Sequence, residues 1–174
     1  MERPVNGGAP ETLHYEDAAI QEILGSVHTI AMVGASANWV RPSNFAMKYL
    51  QRKGYRLIPV NPAQAGDEIL GQLTYASLAE VPGRIDMVDI FRASEAAGEV
   101  VDEAIAMAPE KGLRVIWMQL GVRDDEAANR AKAASLTVIM DRCPKIEYGR
   151  LFGELGWSGV NSGIITSKRR RFGR

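Results

Sequence analysis

The chain has 174 residues, enough for one ordinary domain with its own core and too few for two. Hydrophobic residues make up 46 % and charged residues 24 %, the balance expected of a soluble globular protein. Lys plus Arg and Asp plus Glu each number 21, so the formal net charge is zero. A balanced chain lacks the bulk field on which nucleic-acid and acidic-membrane binding draw, and nucleic acid is not an expected partner.

The N-terminus, MERPVNGGAPETLH, has no apolar stretch of the kind a secretory signal carries. No apolar run approaches the ~20 residues of a membrane span. The single cysteine, Cys143, has no partner for an internal disulfide, which fits a reducing compartment. A cytoplasmic protein with no membrane contact is therefore expected. Residues 1–12, with Pro4, Gly7, Gly8 and Pro10 and few apolar side chains, are expected to be flexible.

From Tyr15 to Leu24 the residues Ala19, Ile20, Ile23 and Leu24 recur at helical spacing, and Gly25 supplies a stop. Ile30 to Val33 is a short apolar run, the mark of a strand buried on both faces. It ends at Gly34 and is followed by the small residues Ala35, Ser36, Ala37 and Asn38, which let the backbone turn sharply. Ser43 and Asn44 have the chemistry of N-caps for a helix running to about Lys53 and Gly54. Strand, tight loop and helix in this order point unpaired N–H groups and the positive end of a helix dipole at one spot, which suits a phosphate. Arg41, inside the loop, adds a forked cation. The dinucleotide fingerprint G-x-G-x-x-G is not met, since Ser36 and Trp39 occupy its second and third glycine positions.

Arg56 to Val60 reads as a second strand closed by Asn61 and Pro62, and the gap of roughly 25 residues between the strands fits a βαβ unit. Residues 63–84 are irregular, with room for a short helical turn from Ser77 to Glu80. Asp86 to Phe91 alternates acidic and apolar residues as a third strand. Ser94 then caps a helix that buries Ala97, Val100, Val101, Ala104, Ile105 and Ala108 and ends at Pro109. Val115 to Leu120 is the fourth strand, followed by an Ala-rich helix opened by Asp124 and Asp125; Thr137 to Met140 is the fifth strand, followed by Asp141, Arg142, Cys143 and Pro144.

These alternations predict an α/β fold: a Rossmann-like, doubly wound, mainly parallel five-stranded sheet flanked by helices, with strand order 3-2-1-4-5. Residues 13–150 form this domain, and residues 151–174 form a Gly/Ser-rich tail with the basic cluster Lys168, Arg169, Arg170, Arg171 and Arg174. Ligands of such sheets lie at the carboxyl ends of the strands where strand order reverses, here between the strands ending at Val33 and Phe91. The strand ends bring Gly34, Ala35, Ser36 and Arg41 together with Pro59, Val60 and Asn61, then Phe91, Arg92 and Ser94, then Met118, Gln119 and Gly121. Cys143 also stands on this rim, where a catalytic thiol would need a neighbouring base and Arg142 offers only charge. The rim contains no paired carboxylates, metal cluster or Ser/His/Asp set, so no catalytic residue and no metal site are assigned. The second strand ends in VNPAQAG, without the acid that holds an NAD ribose, and a ligand with several phosphates fits the arginines better.

The segments VGASANWVRPSN, YRLIPVNP, EILGQLTYASLAEVP, DMVDIFRASE, VIWMQLGV and VIMDRCPKIE, in this order, resemble the small stand-alone CoA-binding proteins of bacteria and archaea. The likeness covers about residues 15–150. It extends more distantly to the N-terminal CoA-binding domain of the succinyl-CoA synthetase α-subunit and of ADP-forming acyl-CoA synthetases. The resemblance implies coenzyme A as the ligand, with Gly34, Ala35, Ser36, Arg41 and Ser43 at the pyrophosphate and Pro59, Val60 and Asn61 beside the adenosine. It further implies Phe91, Arg92 and Ser94 in the middle, and Met118, Gln119 and Gly121 on the pantetheine side. The synthetases carry their ligase chemistry on a phosphorylated histidine and a nucleotide-grasp partner, to which this sequence gives no residues. The expected function is thus a non-catalytic CoA or acyl-CoA carrier, sensor or regulator. The alternative is an NAD(P)-dependent oxidoreductase on the same fold. Small α/β domains often pair, which allows a homodimer, although no sequence feature fixes one.

Overall fold

A computed structural model describes residues 12–153. The expectations for a flexible N-terminus and for a basic tail concern residues that lie almost wholly outside this range. In chain order the elements are α1 (Asp17–Ser26), β1 (Thr29–Val33), α2 (Pro42–Arg52), β2 (Arg56–Val60), the short β3 (Glu68–Ile69) and β4 (Gln72–Leu73), β5 (Met87–Ile90), α3 (Ser94–Lys111), β6 (Val115–Met118), α4 (Asp125–Ala133), β7 (Thr137–Ile139) and α5 (Pro144–Leu151). A 3₁₀ turn, Pro62–Gln64, follows β2.

The five longer strands form one parallel sheet in the order β2-β1-β5-β6-β7, and β3 and β4 form a separate antiparallel pair. The strands are apolar almost throughout because both faces are covered. Ala31, Val33, Val88, Ile90, Ile116 and Met118 face the alanine-rich stripes of α3 and α4. Ile30, Met32, Met87, Val115 and Trp117 face the apolar sides of α1 and α2 and Tyr148 of α5. No helix among the described residues is long and apolar enough to cross a membrane.

The Rossmann-like, doubly wound α/β architecture is as expected, but the strand order is not. Counting the five long strands in sequence, the order is 2-1-3-4-5: β5 lies beside β1 instead of outside β2. The outer edge of β2 is already occupied. Tyr75 N donates to Pro59 O at 3.0 Å, Asn61 N donates to Tyr75 O at 2.8 Å, and Tyr75 bridges Val60. The crossover therefore returns over β1, and strand order reverses between β1 and β5, where the ends at Val33 and Phe91 meet.

Three helix boundaries also differ. α2 begins at Pro42, whose locked φ starts the helix, with Arg41 and not Ser43 or Asn44 at the N-cap. α3 has Ala93 at its N-cap, carries Pro109 within its last turn, and ends at Gly112 in the left-handed conformation (φ 67°). The helix α5 follows directly from Pro144 at its first turn and was not foreseen.

Candidate functional site

The site begins where β1 stops. Gly34 has φ 86°, and a Cβ placed on it would lie 2.3 Å from the carbonyl oxygen of Phe91, so only glycine lets the loop pass this close to the end of β5. Gly34 N donates to Val60 O at 2.9 Å and Phe91 N to Val33 O at 2.8 Å, which ties the ends of β2, β1 and β5 together. Side chains then hold the loop's carbonyls: Asn61 Nδ2 donates to Ala35 O at 2.8 Å and Asn44 Nδ2 to Ser36 O at 2.9 Å. Gln64 Oε1 accepts from Ala37 N at 3.2 Å. The N–H groups of Ala35 and Ser36 are left without a partner among the described residues. The positive end of α2 opens beside them.

A cleft of about 890 Å³ opens on this loop, between the N-termini of α2 and α5, a size within the usual range for ligand sites. Arg41 and Arg92 both line it, both are exposed, and neither guanidinium has a hydrogen bond or ion pair among the described residues. Lys145, on α5, adds a third cation, with its Nζ 5.9 Å from the centre of the Tyr49 ring. The opposite character comes from Val40, Phe45, Leu120 and Ile146, which line the cleft while remaining 54 %, 50 %, 62 % and 48 % exposed. Cations and loop N–H groups at one end with bare apolar side chains around them suit a ligand that is anionic in one part and apolar in another.

The floor is polar and buried. Gln119, just past β6, lines the cleft and is 5 % exposed. Its Nε2 lies 2.9 Å and 3.2 Å from the two carboxyl oxygens of Asp89, in the middle of β5. Asp89 is fully buried, and burial outweighs the hydrogen bond from Gln119 and pushes its carboxyl up to about 7. Cys143 stands at the N-cap of α5, with its thiol pushed up by burial and, in smaller part, by the charge of Asp89. Arg142 does not serve it. Its guanidinium donates to Leu13 O at 3.2 Å and stacks 5.5 Å from the Tyr15 ring. No group of three or more His, Cys, Asp and Glu among the described residues is placed to hold a metal.

Of the residues singled out from the sequence, Gly34, Ser36, Arg41, Ser43, Asn61, Phe91, Arg92 and Gln119 line the cleft. Ala35, Pro59, Val60 and Met118 are buried behind it. Ser94 stands one step back: its Oγ accepts from Arg123 N at 3.1 Å and lies 3.4 Å from Gly121 O. Gly121 N donates to Asp141 Oδ1 at 2.7 Å, so both residues brace the β6–α4 loop rather than face the cleft. Phe45, Lys145, Ile146 and the buried Asp89 were missed. Pro144 after Cys143 was an available signal for α5, whose first turn supplies two of the four.

Comparisons with known proteins show the family and the fold. Residues 28–149 match the model of a CoA binding domain. The uncharacterized protein YneT of Bacillus subtilis (strain 168) is 40 % identical over 131 residues, covering 75 % of this chain and 93 % of that protein. The structure of a hypothetical protein from Pyrococcus horikoshii OT3 superposes with a TM-score of 0.74 at 37 % identity, covering 88 % of this chain and 99 % of the other. The dinucleotide forming acetyl-coenzyme A synthetase 1 of Ca. Korarchaeum cryptofilum shares the fold, with a TM-score of 0.56 at 22 % identity; 70 % of this chain matches 27 % of that one. With the model spanning the sheet from the start of β1 to α5 and so taking in every element that borders the cleft, the chain belongs to the CoA-binding domain family.

Proposed function

We propose that the cleft holds coenzyme A or one of its thioesters, and that the chain is a non-catalytic carrier, sensor or regulator of that ligand. The observation that carries this reading is the pair of guanidinium groups, Arg41 and Arg92, that have no partner among the described residues and stand at the Gly34 loop, in a chain of the CoA-binding family. Gly34, Ala35, Ser36, Arg41 and Ser43 would take the pyrophosphate, with Asn61 and the backbone of Pro59 and Val60 toward the adenosine. Phe91 and Arg92, with Ser94 behind them, would border the middle of the ligand, and Gln119, flanked by Met118 and Gly121, the pantetheine. A binding role without turnover is supported by the state of Cys143 on the lining, whose thiol is pushed up and so is protonated at neutral pH.

Thermal unfolding with CoA, dephospho-CoA, acetyl-CoA and NAD tests the reading. A ligand at 100 times its Kd stabilises by about 2.7 kcal/mol, which raises Tm by roughly 5 to 10 °C in a chain of this size. CoA and its relatives are expected to raise Tm, and NAD is not. A rise with NAD alone would move the reading to a nicotinamide-nucleotide enzyme, and no rise with any of them would overturn it.

A further inference from the structure

Asp89 has no evident reason to be where it is. It occupies the middle of the central strand, opposite Met32 on one side and Trp117 on the other, where an apolar residue would pack without desolvating a carboxyl. Among the described residues no Lys, Arg or His pairs with it, and Gln119 is its sole hydrogen-bond donor. What the carboxyl does is dictate the orientation of that amide. An ionised carboxylate only accepts, so Gln119 must turn Nε2 toward it and Oε1 away. That Oε1 accepts no hydrogen bond from the described residues, and it is not among their fully enclosed, unsatisfied side-chain atoms. It opens on the cleft that Gln119 lines.

We infer that Asp89 is a positioning residue, holding Gln119 so that its carbonyl stands in the cleft floor as an acceptor for an amide N–H of the ligand. The inference rests on the CoA reading and deepens it. The adenosine and pyrophosphate end of CoA has its own donors and cations at the Gly34 loop, whereas the pantetheine arm carries secondary amides, whose N–H groups need such an acceptor. An apolar arm of the same length would leave the carbonyl unpaired and be disfavoured.

Protonation lifts the constraint. A neutral Asp89 carboxyl both donates and accepts, as an Asn side chain would, so the amide is free to turn over and present Nε2–H to the cleft in place of its carbonyl. Of the groups facing Asp89, Gln119 from the end of β6 does not titrate, and Cys143 from α5 has its thiol pushed up and stays neutral through this range. The carboxyl's own position, about 7, sets the midpoint.

The test uses two probes on the full chain. Dephospho-CoA carries the pantetheine arm but lacks the 3′-phosphate, whose second ionisation near pH 6 would confuse a pH series. ADP carries the adenosine and pyrophosphate without the arm. In Asp89→Asn the side chain keeps its shape but both accepts and donates, so it no longer imposes the amide's orientation. Calorimetry at pH 8 is expected to show dephospho-CoA bound about 10-fold more weakly by this variant and ADP bound equally by both proteins. The wild type is expected to lose the same factor for dephospho-CoA between pH 8 and pH 6, while the variant stays flat. Equal weakening of both probes would make Asp89 merely structural, and an unchanged affinity or an unchanged pH profile in the variant would also overturn the inference. If the wild type binds neither CoA nor dephospho-CoA, the CoA reading itself falls and takes this inference with it. In the free protein, the Gln119 side-chain NH₂ resonances are expected to shift with a midpoint near 7, a readout that needs no ligand.

Discussion

Asp86 stands just before β5 and Asp89 within it, both buried, and their surroundings have nothing in common. Asp86 leads into the strand at the amino edge of the sheet, where its Oδ2 accepts from the backbone N–H groups of His28 and Thr29, each at 2.9 Å. Arg84 Nε donates to its Oδ1 at 3.2 Å, and Arg114 stands 3.8 Å away. Burial pushes this carboxyl up, but the two backbone N–H groups and the two guanidiniums outweigh it and hold it below its ordinary value. Asp89, at the carboxyl edge, has a single amide and is pushed up to about 7. The groove at the amino edge follows the same rule as Asp86. It encloses about 470 Å³, yet its one arginine, Arg114, is engaged by Asp86 and Ser26 O. At that edge polar groups satisfy one another and hold the fold together. At the other edge two guanidiniums, two loop N–H groups and one carbonyl have no partner among the described residues.

The largest way to break this comparison is Asp86→Ala. It leaves two part-buried N–H groups without this acceptor and two arginines without their acid, and is expected to destabilise by about 4 kcal/mol in urea unfolding at pH 7. Because the folded carboxyl lies below its ordinary value, its contribution is present above about pH 4 and is lost as pH falls through the folded value. The gap between wild type and variant should therefore close in acid. A gap that persists at the lowest pH would assign the loss to packing instead.

Gly34→Ala comes next. The added methyl meets the Phe91 carbonyl at 2.3 Å and demands φ 86° of an alanine, and backbone strain of this kind costs about 3 kcal/mol. The same shift disturbs the turn that carries Arg92, so the folded fraction should also lose ligand binding. A variant that melts like the wild type would show that the loop relaxes freely and is no rigid cradle.

Asp89→Asn has the opposite sign. The folded carboxyl lies above its ordinary 3.8, at about 7, so wild-type stability is full below about pH 4, declines as pH rises to about 7 and levels off above it. The amide removes this decline, and the expected gain is about 2 kcal/mol at pH 8, fading to nothing near pH 4. Equal stability of the two proteins at pH 8 would mean that the buried charge is better solvated than its single amide partner suggests.

Much of this was legible in advance, and what was not has identifiable causes. The apolar run at β1 announced a strand buried on both faces, those at β2 and β6 announced strands, and Gly34 announced the turn that positions the loop. Strand order was misread because nothing in a local pattern tells that Tyr75 closes the outer edge of β2. Ser43, Asn44 and Ser94 have the chemistry of caps, but Pro42 starts its helix earlier and the hydroxyl of Ser94 is drawn to Arg123 N. The rim could be assembled from strand ends alone, which is why the sequence reading places Arg41, Arg92 and Gln119 together and all three line the cleft. Phe45 and Ile146 reach the cleft from helices that pack above it, so no strand end pointed to them. Asp89 was hidden by the alternation of acidic and apolar residues along its strand. Only the neighbours on both sides reveal that the acid is enclosed.

The smallest expected effects separate the two edges most cleanly. Arg41→Ala removes an exposed side chain with no partner among the described residues, so stability should change by less than about 0.5 kcal/mol. Its loss should nevertheless weaken CoA binding about 10-fold, or roughly 1.4 kcal/mol, and flatten the decline of affinity with added salt, because a cation facing the pyrophosphate acts through a screened field. Arg84→Ala is the mirror case. Its guanidinium is 66 % exposed but bonded to Asp86, and its removal should lower stability by up to about 1 kcal/mol while leaving CoA affinity and its salt dependence untouched. If the two substitutions instead behave alike, with both affecting stability or both affecting binding, then the two edges of the sheet are not divided between holding the fold and meeting the ligand.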